Sequence, residues 1–117
     1  MRDFRKLKVW EKSHQLTLEV YKVTRRFPTD ERFGLISQIR RSAASVPANI
    51  AEGCGRFTST ELARFCDIAS GSASETYYHL ILSHDLGYLD KPTFQQLEQR
   101  TNEVKRMLNS FTQALRR

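Results

Sequence analysis

Apolar positions recur at intervals of three and four over four separate stretches of this chain. In the first, Val9, Leu16, Val20, Val23 and Phe27 line one face of a helix spanning residues 7–27. Trp10, Leu18 and Tyr21 form a partial second stripe beside that face. In the second, Ile36, Ile39, Ala43, Val46 and Ile50 alternate threes and fours. Thr29 stands before it as an N-cap, with Asp30 and Glu31 in the first turn, where the helix dipole favours acid. The third opens on Thr58-Ser59-Thr60-Glu61, a capping box, and runs to about His84 or Asp85. Leu62, Phe65, Ala69, Ser72, Thr76, Leu80 and Ser83 mark its inner face. The fourth starts at Asp90, Lys91 and Pro92, with proline in the first turn where its missing N–H does no harm. Phe94, Leu97, Thr101, Val104, Leu108, Phe111 and Leu115 then give the most regular repeat in the chain. Four amphipathic helices joined by short loops predict an all-α protein. It is one domain over residues 1–117, an antiparallel up-down-up-down four-helix bundle.

The second helix carries the irregular feature. Its apolar phase continues straight through Pro47, which lacks an N–H and crowds the carbonyl of Ala43. The helix is therefore kinked at 43–47 or broken into two pieces, and the preserved phase favours the kink. Gly53 and Gly55 follow as terminating glycines. In the third helix, Ala69-Ser70-Gly71-Ser72-Ala73-Ser74 is an uninterrupted run of small residues. It predicts close approach to the small residues around Pro47.

Charge adds a partner class. The chain of 117 residues carries 19 Lys and Arg against 13 Asp and Glu, a net charge of +6. Eight of those cations and three acids lie in the first 28 residues, whereas residues 58–87 hold one cation and four acids. In an up-down-up-down order the first and fourth helices are neighbours. Their cations (Lys6, Lys8, Lys12, Lys22, Arg25, Arg26, Arg100, Lys105 and Arg106) would then merge into one positive surface suited to phosphate. Aromatic residues near this surface are few, Phe4 and Trp10 at most, so contacts to the nucleic-acid backbone are expected over base stacking. An ordinary lysine-rich solvated face is the competing explanation. No apolar run is long enough to span a bilayer, the basic N-terminus has no apolar leader core, and two cysteines make no disulfide framework. A cytoplasmic protein without membrane association is the expectation.

Chemistry is thinly represented. Glu11 and His14 have the i, i+3 spacing of a di-iron ligand pair, but only one such pair is present. Cys54 and Cys66 lack the histidines of a zinc set. No nucleophile–base arrangement, phosphate loop or carboxylate pair stands out, so no enzyme, metal or cofactor is expected. Arg40 and Arg41 suit bidentate phosphate contact. The small, apolar surroundings favour a structural role instead, with Glu52, Asp67 or Glu75 as partner. Asn49 and Glu52 are expected to hold the segment around Pro47 through the carbonyl it leaves free.

Residues Gln38–Gly53, Q-I-R-R-S-A-A-S-V-P-A-N-I-A-E-G, resemble the signature of the bacterial four helix bundle proteins encoded in intervening sequences of 23S rRNA genes. That group includes the accessory variability protein of diversity-generating retroelements. The likeness extends to L-K-V-W-E-K at Leu7–Lys12, F-P-T-D-E-R-F-G-L at Phe27–Leu35 and G-Y-L at Gly87–Leu89. Ser42 departs from it, since alanine is usual after the arginine pair. The resemblance implies a four-helix protomer, a homopentameric ring and, for the retroelement members, binding of nucleic acid with a reverse transcriptase. The leading expectation is a non-enzymatic oligomeric protein that binds RNA or DNA without sequence preference. An adaptor for a protein partner such as a reverse transcriptase is the alternative.

Overall fold

The computed structural model describes residues 2–117. Four helices run along a body of 43 × 24 × 20 Å: α1 (Lys8–Thr24), α2 (Leu35–Cys54), α3 (Ser59–Asp85) and α4 (Lys91–Leu115). Single 3-10 turns precede α1 at Phe4–Lys6 and α2 at Thr29–Glu31. Each helix packs on its neighbours in the chain, and α1 closes the ring against α4, while the diagonal pairs do not meet. Side-chain pairs between the helices run in opposite residue order (Ser42 with Thr76, Ser45 with Ser72), as an up-down-up-down bundle requires. Among the described residues no helix is long and apolar enough to cross a membrane.

The core contains the expected stripes with small phase shifts. Leu16, Val20, Ile39, Val46, Ile50, Leu80, Leu97, Val104 and Leu108 are at most 1% exposed, so these positions set the bundle's interior. In α2 the buried residue of the first turn is Leu35, and Ile36 lies half-buried beside it. Thr29 does not cap this helix. The chain makes a separate turn at Thr29–Glu31, and the Leu35 N–H donates to Glu31 Oε1 at 3.2 Å. The other oxygen of that carboxylate accepts from the Tyr88 hydroxyl at 2.9 Å, which ties the α1–α2 loop to the α3–α4 turn at one end of the bundle. At the starts of α3 and α4 side chains cap the helix, and at α3 this is the Thr58 arm of the expected capping box. Thr58 Oγ1 accepts from the Glu61 N–H at 3.1 Å, and Asp90 Oδ1 from the Thr93 N–H at 2.9 Å.

Pro47 lies inside α2 without breaking it into two pieces. The carbonyl it leaves without a backbone donor is that of Ala43, and a threonine of α1 meets it. Thr17 Oγ1 lies 3.0 Å from Ala43 O and 2.9 Å from Ser13 O, all buried. Ser13 O already receives a helical N–H, so the one hydroxyl proton is needed at Ala43. Asn49 and Glu52 do not serve this carbonyl. Asn49 Nδ2 donates to Ser45 O at 2.8 Å and Ser45 Oγ at 2.9 Å, and Glu52 faces solvent beside Arg56 at 3.4 Å.

Gly53 is not a terminator. It sits inside α2, buried, with Gly55 at the C-cap. A Cβ there would lie 2.8 Å from Leu62 Cδ1 and from Phe65 Cβ, so the absence of a side chain lets α3 begin directly against α2. Further along, Ser45 and Ser72 share a hydrogen bond of 2.9 Å, and Thr76 Oγ1 donates to Ser42 Oγ at 2.9 Å. Small hydroxyl residues thus replace bulky ones along this part of the α2–α3 contact. Gly71 takes no part in this approach: it is exposed and has open space around its Cα.

Candidate nucleic-acid interface

Several of the predicted cations lie along the seam between α1 and α4. Helical phase turns Lys8, Lys12 and Lys22 toward the α4 side of α1, and Arg100 toward α1 from the other side, while Arg26 lies in the turn after α1. Near the start of α1, Lys8 and Arg106 line one concavity. Midway, Lys12 Nζ lies 3.7 Å from Glu103 Oε1 across the seam, with both side chains about two-fifths exposed. Such a pair is worth about 0–1 kcal/mol, so Lys12 is held loosely and remains available to a phosphate. Arg100 and Arg106 flank Glu103 on α4. At the far end Lys22, Arg25 and Arg26 gather above the α3–α4 turn with Glu19 and Asp90. The Thr93 hydrogen bonds hold the Asp90 carboxyl below the usual carboxylate range, with a smaller contribution from nearby Arg26. That carboxylate and Glu19 interrupt the positive field at this end.

Two of the sequence-predicted cations stand apart. Lys105 does not join the seam: its ammonium lies 5.7 Å from the centroid of the Tyr77 ring, on the α3 side of α4. Tyr77 in turn donates to Glu98 Oε2 at 2.6 Å. Lys6 is exposed in the turn that precedes α1. Arg116 also turns away from the seam, donating with two nitrogens to Asp67 of α3 at 2.5 and 3.1 Å and holding that carboxyl below its ordinary range.

The arginine pair divides between two roles. Arg40 is structural, although no carboxylate receives it. Its Nε donates to Thr24 Oγ1 at 2.8 Å, its Nη2 to Tyr21 O at 3.3 Å, and its guanidinium lies 4.7 Å from the centroid of the Tyr21 ring. The positive group thus caps the carbonyl end of α1, where the helix dipole favours a cation. Arg41 is exposed. The expected partners are engaged elsewhere: Glu52 with Arg56, Asp67 with Arg116, and Glu75 with His79 at 3.2 Å.

Other candidate chemistry resolves into packing. His14 stacks on Trp10 with ring centroids 5.0 Å apart and an 11° interplanar angle, and Phe4 covers Trp10 at 5.0 Å. Cys54 and Cys66 are free and buried; burial, with Cys54 nearby, pushes the Cys66 thiol up to about 11. Sequence reasoning overlooked Thr17, Thr24 and Glu31, because hydroxyls and carboxylates at helix positions look solvent-bound without a partner in view. It also missed the apolar floor beneath Lys8 and Arg106, formed by Leu7, Val9, Met107 and Phe111.

Apolar side chains remain exposed on two diagonal corners of the bundle. Leu18 and Tyr21 on α1 are 55% and 40% exposed, and Ile68 and Tyr78 on α3 are 53% and 58% exposed. Phe33 and Phe57, in the loops at either end of α2, are almost fully exposed.

Residues 5–110 match the family model described as 23S rRNA-intervening sequence protein. A crystal structure of a protein of unknown function from the S23 ribosomal protein family of Bacteroides thetaiotaomicron VPI-5482 has a similar fold. It superposes with a TM-score of 0.78 at 26% identity, covering 87% of this chain and 95% of that one. No curated protein matches the sequence.

Proposed function

This chain belongs to the 23S rRNA-intervening sequence protein family, and from that premise we propose that it is a non-enzymatic oligomeric protein that binds RNA or DNA without reading sequence. The observation that carries this reading is the row of cations along the α1–α4 seam: Lys8, Lys12, Lys22, Arg26, Arg100 and Arg106. Apart from Arg26, in the turn after α1, these residues belong to α1 and α4. Binding through them would draw its free energy from release of counterions, which is indifferent to base identity. The cytoplasm is the compartment that fits two reduced, buried thiols.

Oligomerisation is the second part of the proposal. The exposed apolar pairs on α1 and α3 face in different directions, so two copies would meet head to tail through unlike surfaces. Interfaces of that type close into rings when the rotation allows, and a homopentamer is the ring we expect. The same exposed apolar residues support the alternative of an adaptor whose partner is a protein, a reverse transcriptase being one example.

A salt titration separates these readings. Retention of a labelled RNA or DNA should weaken steeply with salt, with log K falling linearly in log salt. Charge reversal of Lys8, Lys22, Arg26 and Arg106 to Glu should abolish it while the helical signal and melting temperature stay near those of the parent. Lys105→Glu, away from the seam, should change binding little. If the fourfold variant binds as the parent does at low salt, the seam is only a solvated surface. Salt-tolerant capture of a protein partner would favour the adaptor.

A further inference from the structure

The concavity at the start of α1 differs from the rest of the seam. Its floor is apolar, made by Leu7 and Val9 from one side and Met107 and Phe111 of α4 from the other, and its volume is about 450 Å³. Lys8 and Arg106 line the same concavity and bring positive charge to it. The guanidinium of Arg2 lies 5.7 Å from the centroid of the Phe111 ring. The other aromatic residues near this end, Phe4 and Trp10, are engaged with each other and with His14. At this end of the seam Phe111 is therefore the aromatic ring that borders the concavity, with Arg2 beside it.

We propose that this groove is a base-binding subsite, in which an unpaired nucleobase packs on Phe111 and Met107 while Lys8 and Arg106 hold the flanking phosphates. The inference rests on the reading of the seam as a nucleic-acid surface and goes beyond it, because it makes the protein selective for single strands. A duplex presents phosphates to the cations but keeps its base faces stacked away from the groove. A single strand can meet both surfaces, and stacking on an aromatic ring tolerates any base. Charge complementarity selects this occupant: the floor accepts a flat apolar group, and the cations beside it accept an anionic chain running past. The expectation from sequence that backbone contacts would outweigh base stacking is thereby revised at this one place.

The test compares a fluorescently labelled oligo-dT with a duplex of equal length, by anisotropy over a salt series, for the full chain. Phe111→Ala should weaken oligo-dT binding about five- to hundredfold, which is about 1–3 kcal/mol at about 1.4 kcal/mol per tenfold. Its affinity for the duplex and the slope against log salt should stay at the parent values. Phe111→Leu keeps the core apolar and should lose most of the same affinity, which separates loss of stacking from loss of folding. Arg106→Gln should weaken both probes and reduce the salt slope by about one.

Equal losses for both probes with Phe111→Leu, or no loss for oligo-dT, overturn the subsite while leaving the seam reading intact. Absence of binding to either probe by the parent overturns both. Two other occupants are also detectable by NMR. If laurate shifts the amide resonances of Leu7, Val9 and Phe111 and oligo-dT does not, the groove takes a carboxylate amphiphile. If rising protein concentration alone shifts them, a second copy fills it. Either result refutes the proposal.

Discussion

Replacing Thr17 by Val tests how α2 accommodates its proline. The substitution keeps the β-branched shape and removes the hydroxyl that donates to Ala43 O at 3.0 Å. Pro47 supplies no N–H to that carbonyl, so a buried acceptor is left unpaired. An unsatisfied buried polar group costs about 1–3 kcal/mol, and the added methyl returns little because Thr17 is already packed at 8% exposure. For a domain of this size the loss corresponds to roughly 4 °C in melting temperature per kcal/mol. Urea denaturation followed by far-UV circular dichroism measures it, at one protein concentration so that association does not contribute. The decisive comparison is a double-mutant cycle with Pro47→Ala, which restores the backbone N–H at residue 47. In that background Thr17→Val should cost less than about 0.5 kcal/mol, giving a coupling of about 1–2 kcal/mol. Equal costs in the two backgrounds would refute the link between the threonine and the proline. Thr17→Ser keeps the donor and should retain most of the stability.

Two further outcomes follow from the packing of α2 against α3. Gly53→Ala should destabilise by about 1–3 kcal/mol in the same assay, because its Cβ meets Leu62 and Phe65 at 2.8 Å and that overlap outweighs the roughly 1 kcal/mol of helix propensity gained. A neutral or stabilising result would mean that α3 can move away at little cost. Cys66, with its folded pKa pushed from 9.0 up to about 11, should react with iodoacetamide at pH 8 on the order of a hundredfold more slowly when folded than in urea. The folded state favours the neutral thiol. The stability this confers is therefore complete below about pH 9 and is lost as the pH rises through about 11. Comparable alkylation rates in the folded and unfolded chains would show that the site opens.

The bundle was legible in the sequence because its signal is repeated. Val20, Ile39, Leu80 and Leu108 each belong to a stripe sustained over several turns, so the helical phase could not be misread for long. Features set by one contact between distant residues were not legible. Glu31 reads as an ordinary first-turn acid; only the fold brings Tyr88, 57 positions away, to its second oxygen. Gly53 reads as a terminator, and only the start of α3 shows why it has no side chain. Thr17 carries no signal of its own in the sequence until Ala43 O is placed beside it. The site was half legible. Placing α1 beside α4 required only the topology, whereas separating Lys105 from the other cations required its side chain to lie against Tyr77. The groove floor was hidden because Phe111 belongs to the α4 repeat and reads as plain core.

The antiparallel closure of α1 against α4 has a practical corollary for handling the molecule. Arg2, just ahead of α1, lies over Phe111 in the last turns of α4, and its N–H donates to Cys54 O at the end of α2. Anything fused before α1 or after α4 therefore emerges beside the groove, and a cationic or flexible tag there would compete for its mouth. Gly87, at φ +82°, marks the tight turn at the opposite end of the body. A circular permutant opened at this turn would carry its tags at the far end of the 43 Å body from the groove, leaving the subsite unobstructed for measurement.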